Sequence, residues 1–194
     1  MTMTPTAPPS QGAVTRLWAT PAAVQTIDLA PIVWNDGVRD HLTTAGPACE
    51  TVPPRTVLTD TDALEQLFLD TMTMLATRTA DTGAPTRAPD TVALTAQVWR
   101  GGHENPMAAC AADYCGWCVL AATQPASEGS GDMAILDPRA GCAMTAAPGL
   151  PWGRALAFRP QPGGLLVIPG WLTSSVRPLE RRQTIIVVAA ESRP

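Results

Sequence analysis

Three cysteines lie within nine residues, at Cys110, Cys115 and Cys118, and cysteine sulfur is a common ligand of soft metals. Their spacing differs from that of a zinc ribbon, which needs two paired clusters. If this segment is a strand, Cys115 and Cys118 point to opposite faces, because side chains alternate along a strand. We therefore interpret the cysteines as packed structural thiols. A copper site drawn from Met107, Cys110, Cys118 and His103 remains an alternative.

The chain has two histidines, His41 and His103, which fall in different kinds of element. His103 stands in the loop Gly-Gly-His-Glu-Asn-Pro, where polar side chains often line the rim of a pocket. A solvated loop histidine is the alternative. The sequence has no glycine-rich phosphate loop and no Gly-x-Ser-x-Gly elbow of a serine hydrolase. All 13 basic residues are arginine, so catalysis through a lysine Schiff base is excluded.

The composition limits the class of partner. The 194 residues carry a formal charge of −4 without a basic run, which argues against nucleic acid or a membrane surface as partner. Residues 1–14, rich in Thr and Pro, predict a loose tail without the features of a signal peptide. Five cysteines without a secretory signal predict reduced thiols and a cytoplasmic location. The lack of lysine, with abundant Ala, Thr and Pro, indicates GC-rich coding, as in actinobacteria.

The elements that must position these residues change character along the chain. A first strand is predicted at 16–29 and a short helix at 36–46. The strongest helical periodicity is at 59–81, with apolar residues on one face at Leu64, Leu67, Phe68, Met72 and Leu75. From residue 92 onward, short apolar or alternating segments are separated by Gly, Pro, Asn and Asp. These predicted strands are 92–100, 114–122, 131–137, 154–160, 163–170 and 182–190. The order predicts an α+β chain, mainly β, whose second half is an antiparallel barrel or jelly roll.

The order of several short motifs resembles that of the small bacterial 2-oxoglutarate/iron(II) oxygenases. Members of that family open on a Leu-Phe-x-Thr-Pro-like strand and continue through a Gly-Gly-x-Asn-x-Pro loop to a final strand with Arg-x-Ser. The matching segments here are LWATP (17–21), VWRGGHENP (98–106), YCGWCV (114–119), DPR (137–139), PGGLLVIPGWL (162–172) and RQT (182–184). The resemblance implies a double-stranded β-helix (jelly-roll) core with the N-terminal helices packed on one sheet, as a single domain over residues 15–192.

The resemblance also implies iron ligands at positions where this chain has none. The family has His-x-His-Pro after the loop proline, and the two histidines fall on Met107 and Ala109. A third histidine, two residues past the Trp-Leu pair, falls on Ser174. Methyl, hydroxyl and thioether groups do not replace the imidazole and carboxylate donors of oxygenase iron. We therefore predict that the protein uses no metal and no cofactor.

An anion anchor is implied at the last strand. In the family, an Arg and a Ser two residues apart bind the distal carboxylate of 2-oxoglutarate, and Arg182 and Thr184 match them. A two-residue spacing places both on one face of a strand, and a buried guanidinium needs an anion. An ion pair with Asp113 or Asp137 is the alternative, and Arg181 takes the role if the register shifts by one.

From these features we predict a metal-independent, non-redox enzyme that performs a cyclisation, isomerisation or elimination. Its substrate would be a small organic acid or natural-product intermediate that carries a carboxylate or carbonyl. The acid, base or nucleophile would come from His103, Glu104, Asp113, Tyr114, Cys118 and Ser174. The substrate would be bound by Arg182, Thr184, Met107, Ala109, Trp117 and Trp171.

Two other functions remain open. A non-catalytic pseudo-oxygenase would bind ligand or pair with an active relative or a second copy, through exposed Trp18, Trp34 and Trp152. An oxygenase with a rewired metal site is the second alternative.

Overall fold

The computed structural model describes residues 20–80, 87–136 and 155–193. Several predicted features fall outside the described residues: the tail, Trp18, the Asp-Pro-Arg turn with Asp137, and Trp152. The α-helices are α1 (Asn35–Thr43) and α2 (Thr61–Ala80), and a 3-10 turn covers Pro54–Thr56. Both predicted helices are confirmed. No described helix has the length and apolar character needed to span a bilayer.

Ten strands are present among the described residues, most of them short. They are β1 (Ala23–Thr26), β2 (Cys49–Val52), β3 (Thr91–Arg100), β4 (Asn105–Ala108), β5 (Tyr114–Ala122), β6 (Met133–Ile135), β7 (Leu156–Phe158), β8 (Gly164–Pro169), β9 (Ser174–Val176) and β10 (Thr184–Arg193). The sequence did not predict β2, β4 or β9. Each is three or four residues long and partly polar, too short to show a period.

The strands form two antiparallel sheets. The large sheet has the order β1-β8-β5-β10-β3-β2, and the small sheet has the order β4-β9-β6-β7. From β3 to β10 the chain passes between the sheets in the pattern of a jelly roll, with β6 and β7 paired as consecutive strands of the small sheet. β1 and β2 are added at the two edges of the large sheet. The predicted fold class, α+β and mainly β with a jelly-roll core, is confirmed.

The large sheet is buried on both faces. One face packs against the helices in a core that includes Leu64, Phe68, Cys118, Ile186 and Val188. The other face packs against the small sheet in a second core, which includes Trp99, Cys115, Val119, Ile185 and Val187. Alternate residues of β3, β5, β8 and β10 therefore enter different cores.

Helix α2 covers the outer face of the large sheet, as expected for N-terminal helices packed on one sheet. Asp60 caps its start, with the backbone N–H of Ala63 donating to Asp60 Oδ1 over 2.9 Å. Leu64, Phe68 and Met72 are fully buried, and burial of each such side chain contributes about 1.5–3 kcal/mol. The inner face of the sheet is left to form the site.

Candidate functional site

A tight turn sets the direction of β4 into the small sheet. The N–H of His103 donates to the carbonyl oxygen of Arg100 over 2.8 Å. Between them, Gly102 has a φ of +86°, the left-handed value that the third residue of a type II turn requires. The chain then pairs with β9, where Asn105 lies opposite Val176 and Ala108 lies opposite Ser174. An irregularity between those two pairs lets both Asn105 and Ala108 border the space between the sheets, although both remain exposed.

A cavity of about 200 Å³ opens between the two sheets at this end of the jelly roll. Residues of both sheets line it. Its walls are Gln97, Trp99, Asn105, Ala108, Ala109, Cys110, Cys115, Gly116, Trp117, Ser174, Ala189, Ala190 and Glu191. The space exists in part because Ala108, Ala109 and Ala189 have side chains too small to fill it.

The acidic group of the cavity is Glu191, an exposed side chain at its edge. The thiol of Cys110 donates to Glu191 Oε1 over 3.8 Å. Burial raises the pKa of Cys115 far above its usual 9.0, and the neighbouring Cys110 thiol and Glu191 raise that pKa further. A thiol held in its neutral form is a poor nucleophile. Cys115 is therefore part of an inert wall, and Glu191 is the carboxylate at this cavity.

Trp99 forms another wall and is fixed from two sides. Its indole Nε1–H donates to Gln97 Oε1 over 2.9 Å. The His103 ring stacks on the indole with a centroid distance of 5.0 Å. Burial lowers the pKa of His103 below its usual 6.5, against a smaller raising effect of Glu104. His103 thus supports the cavity from behind Trp99 and does not line it.

Three of the residues proposed from the sequence meet at the cavity: Ala109, Trp117 and Ser174. The other nine proposed residues do not line it. Met107 and Trp171 expose 59% and 58% of their surface to solvent, and Glu104 and Asp113 are exposed in loops. The irregular backbone of β4 accounts for Met107, because the inward position opposite Ser174 is taken by Ala108.

Tyr114 and Cys118 lie on the wrong face of β5 for this cavity. Both belong to the core under the helices, whereas Cys115 and Trp117 face the small sheet. Burial raises the pKa of Cys118 to about 12 and also raises the pKa of Tyr114. Their expected role in catalysis is therefore wrong for this site. The expectation that Cys115 and Cys118 face opposite sides is confirmed.

The expected pair of Arg182 and Thr184 is also not in the cavity. Arg182 is exposed in the turn before β10, and Thr184 is on the helix-facing side with Ile186. The interior position at this point is held by Gln183, which is buried and exchanges hydrogen bonds with Ser130. The buried guanidinium of this region is Arg100, which pairs with Glu50 over 2.8 Å beside the helices. The inward anchor fails because β10 begins at Thr184, after Arg182.

The donors of this cavity do not fit an oxygenase iron(II) ion. The described walls offer amide, hydroxyl and thiol groups and one carboxylate, without imidazole, whereas such sites use two imidazoles and a carboxylate. Within residues 20–80, 87–136 and 155–193, no group of three or more His, Cys, Asp or Glu side chains is placed to hold a metal ion. We therefore derive no chemical step through iron.

Two larger hollows lie on the outer surface of the described residues. One, of about 370 Å³, lies beside the β5–β6 connection. There Glu180 already accepts hydrogen bonds from the backbone of Ala126 and Ser127. The other, of about 480 Å³, is a wide groove between β1 and α2.

The fold is similar to that of solved oxygenase structures. A prolyl-4-hydroxylase from Pseudomonas putida superposes with a TM-score of 0.50 at 12% identity, covering 91% of this chain and 94% of that chain. A rice dioxygenase for auxin oxidation gives 0.47 at 12% identity, with 84% and 65% covered. An oxidoreductase of the 2OG-Fe(II) oxygenase family from Burkholderia pseudomallei gives 0.38 at 12% identity, with 62% and 52% covered.

No protein-family model and no curated protein sequence matches the chain. At 12% identity, the likeness to the prolyl-4-hydroxylase shows a shared fold and says nothing about a shared reaction. The chain therefore has an oxygenase-like jelly-roll fold.

Proposed function

We propose that this protein lacks the iron ligands of the oxygenases it resembles and performs a metal-independent, non-redox reaction on a small molecule between its two sheets. One observation carries the proposal. Ala108, Ala109 and Ser174 stand near the positions where the resemblance implies iron ligands, and they line a cavity of about 200 Å³ that is open to solvent beside β4. A site that had merely decayed would be expected to fill with side chains, because protein interiors are close-packed.

The groups around the cavity support proton transfer. Glu191 is placed to accept a proton from a bound molecule, and the Ser174 hydroxyl and Cys110 thiol are donors on the same walls. An isomerisation, cyclisation or elimination requires a base and a donor near one substrate and does not require an electron acceptor. This arrangement favours such a reaction over an oxidation.

The charge of the cavity argues against 2-oxoglutarate as a ligand. 2-Oxoglutarate carries two carboxylates, and carboxylates in proteins are typically held by guanidinium groups. Among the described walls there is no Arg or His, and the one charged side chain is Glu191.

The first experiment tests whether the cavity is the ligand site. A library of small polar molecules is screened by ligand-observed NMR against the wild type, Ala189→Leu and Ala157→Leu. Ala189 lines the cavity, whereas Ala157 is an exposed alanine of strand β7 outside it. Ligands of the wild type are expected to bind Ala157→Leu equally and Ala189→Leu at least about tenfold more weakly. Equal binding to all three proteins would place the ligand elsewhere and contradict the proposal.

The second experiment tests the chemistry. A ligand found in this way is incubated with the protein in D₂O, and loss of its C–H signals is followed by NMR. Glu191→Gln is expected to abolish the exchange while the fold is retained. Binding without exchange would favour the non-catalytic binding protein. Stoichiometric iron(II) binding with conversion of 2-oxoglutarate to succinate and CO₂ would overturn the proposal.

A further inference from the structure

The charge of the cavity has a single sign. Glu191 is the one charged side chain among its described walls, and its carboxylate contacts a neutral thiol, Cys110. The next arginine on this face of β10 is Arg193, two residues further on, which is exposed and does not line the cavity. Glu191 forms no ion pair with any described residue. An anion in this space would therefore meet a like charge without a compensating cation.

The aromatic walls reinforce this preference. Trp99 and Trp117 both line the cavity, and Trp99 is held in place by its hydrogen bond to Gln97 and by His103. Among the aromatic side chains, the indole of tryptophan attracts a cation to its face most strongly. Trp99 is only 2% exposed, so Trp117 is the indole that a ligand can reach, and an indole beside a carboxylate is an arrangement that binds organic ammonium ions.

The remaining walls are short and neutral. Ala108, Ala109, Gly116 and Ala189 supply little more than methyl groups and backbone, and Ser174 and Asn105 supply neutral hydrogen-bonding groups. Such walls suit the methyl or methylene groups of a small cation and a single hydroxyl or carbonyl. A volume of about 200 Å³ leaves room for a small ligand of this kind.

We infer that the ligand of this cavity is a small organic cation, an alkylammonium compound, whose positive charge lies between Glu191 and the indole of Trp117. This inference rests on the proposed function, because it takes the cavity as the ligand site. It replaces the organic acid expected from the sequence, which depended on an inward Arg182.

Three probes of similar shape and different charge test the inference: tetramethylammonium, tert-butanol and trimethylacetate. Their dissociation constants are measured by ligand-observed NMR at low ionic strength, together with the quenching or shift of tryptophan fluorescence. Tetramethylammonium is expected to bind at least about tenfold more tightly than tert-butanol, and trimethylacetate more weakly than either. Added salt should weaken the binding of the cation and leave that of the alcohol unchanged.

Two variants locate the effect. Glu191→Gln is expected to bring tetramethylammonium and tert-butanol to within about threefold of each other without weakening the alcohol. Glu65→Gln, the same change on helix α2 away from the cavity, should leave the preference intact. Trp117→Leu should also weaken the binding of tetramethylammonium more than the binding of tert-butanol.

The outcomes separate the two proposals. If tert-butanol or trimethylacetate binds as tightly as the cation, and Ala189→Leu abolishes that binding, the cavity is the ligand site but the cation inference is wrong. If the cation binds equally to the wild type and Glu191→Gln, its charge is not recognised by this carboxylate and the inference is also wrong. If none of the three probes binds, the cation inference is overturned. If, in addition, no ligand of the library binds Ala189→Leu more weakly than the wild type, the proposed function is overturned as well.

Discussion

The inward face of strand β10 has two halves that differ in what they do. Ile185 and Val187 are fully buried in the core between the two sheets. Ala189 and Glu191, the next two residues on the same face, line the cavity. Strand, sheet and direction are the same in both halves, and only the volume and charge of the side chains differ.

The same contrast is found on neighbouring strand β5. Val119 is fully buried in the inter-sheet core, whereas Trp117, two residues nearer the start of the strand, is half-buried and borders the cavity. One end of the jelly roll is therefore packed for stability, and the other is left open by small residues. The fold supplies two opposed sheets, and the choice of side chains decides where a ligand has room.

The largest expected effect comes from opening the packed half. Ile185→Ala removes a fully buried side chain and should lower the free energy of unfolding by about 2–5 kcal/mol, because the surrounding residues cannot collapse fully into the space. Glu191→Ala on the same strand face should change it by less than about 0.5 kcal/mol, because its side chain is exposed. Urea denaturation of both variants measures the difference. Equal losses would show that the cavity half is as tightly coupled to stability as the core.

The sequence predicted the fold well because its signals were long or repeated. Helix α2 has an apolar face from Leu64 to Leu75, and six of the strands coincide with short apolar segments bounded by Gly and Pro. The resemblance to oxygenase motifs also selected Ala109, Trp117 and Ser174 as site residues, and all three line one cavity. These predictions depended on the order of elements and not on the direction of any one side chain.

The predictions from the sequence were wrong where a shift of one residue along a strand decides which face a side chain lies on. Tyr114 and Cys118 were assigned to the site although they face the helices. Both faces of the large sheet are buried, so β5 shows no polar alternation that reveals its parity. Glu191 was missed, although a carboxylate in step with Ile185 and Val187 on an apolar strand was a usable signal.

The next largest effect is expected at alkaline pH, where ionisation of the buried Cys118 thiol lowers the free energy of unfolding. Burial raises the pKa of Cys118 from 9.0 to about 12 in the folded protein. Because the folded state holds this proton more tightly, the stability it contributes is complete below pH 9 and is lost as pH rises from 9 toward 12. Over that window, Cys118 should contribute a loss of about 1 kcal/mol per pH unit. Cys118→Ala is expected to flatten the alkaline slope, measured by urea denaturation at successive pH values.

A matched control for this experiment is Val119→Ala, the next residue on β5. It removes buried volume from the other core without removing a titratable group. Its stability should therefore fall by the same amount at every pH, with the alkaline slope of the wild type. If both variants keep that slope, Cys118 is not a source of the alkaline sensitivity.

The smallest expected effect concerns His103, which supports the cavity from behind Trp99. Burial lowers the pKa of its ring below 6.5, so stability from the neutral ring is present above that value and is lost as pH falls through the lower, folded-state pKa. His103→Phe keeps an aromatic ring against Trp99 without a proton to gain, and removes Nε2, which is buried without a described partner. Relative to the wild type, the free energy of unfolding of this variant should rise by less than about 1 kcal/mol as pH falls from 6.5 to 5, because solvent screens the charge on a half-buried ring. Thermal melts over this range measure the gain. A tetramethylammonium affinity that falls more than about threefold in this variant would show that His103 positions the indole of the cavity and is not merely packed behind it.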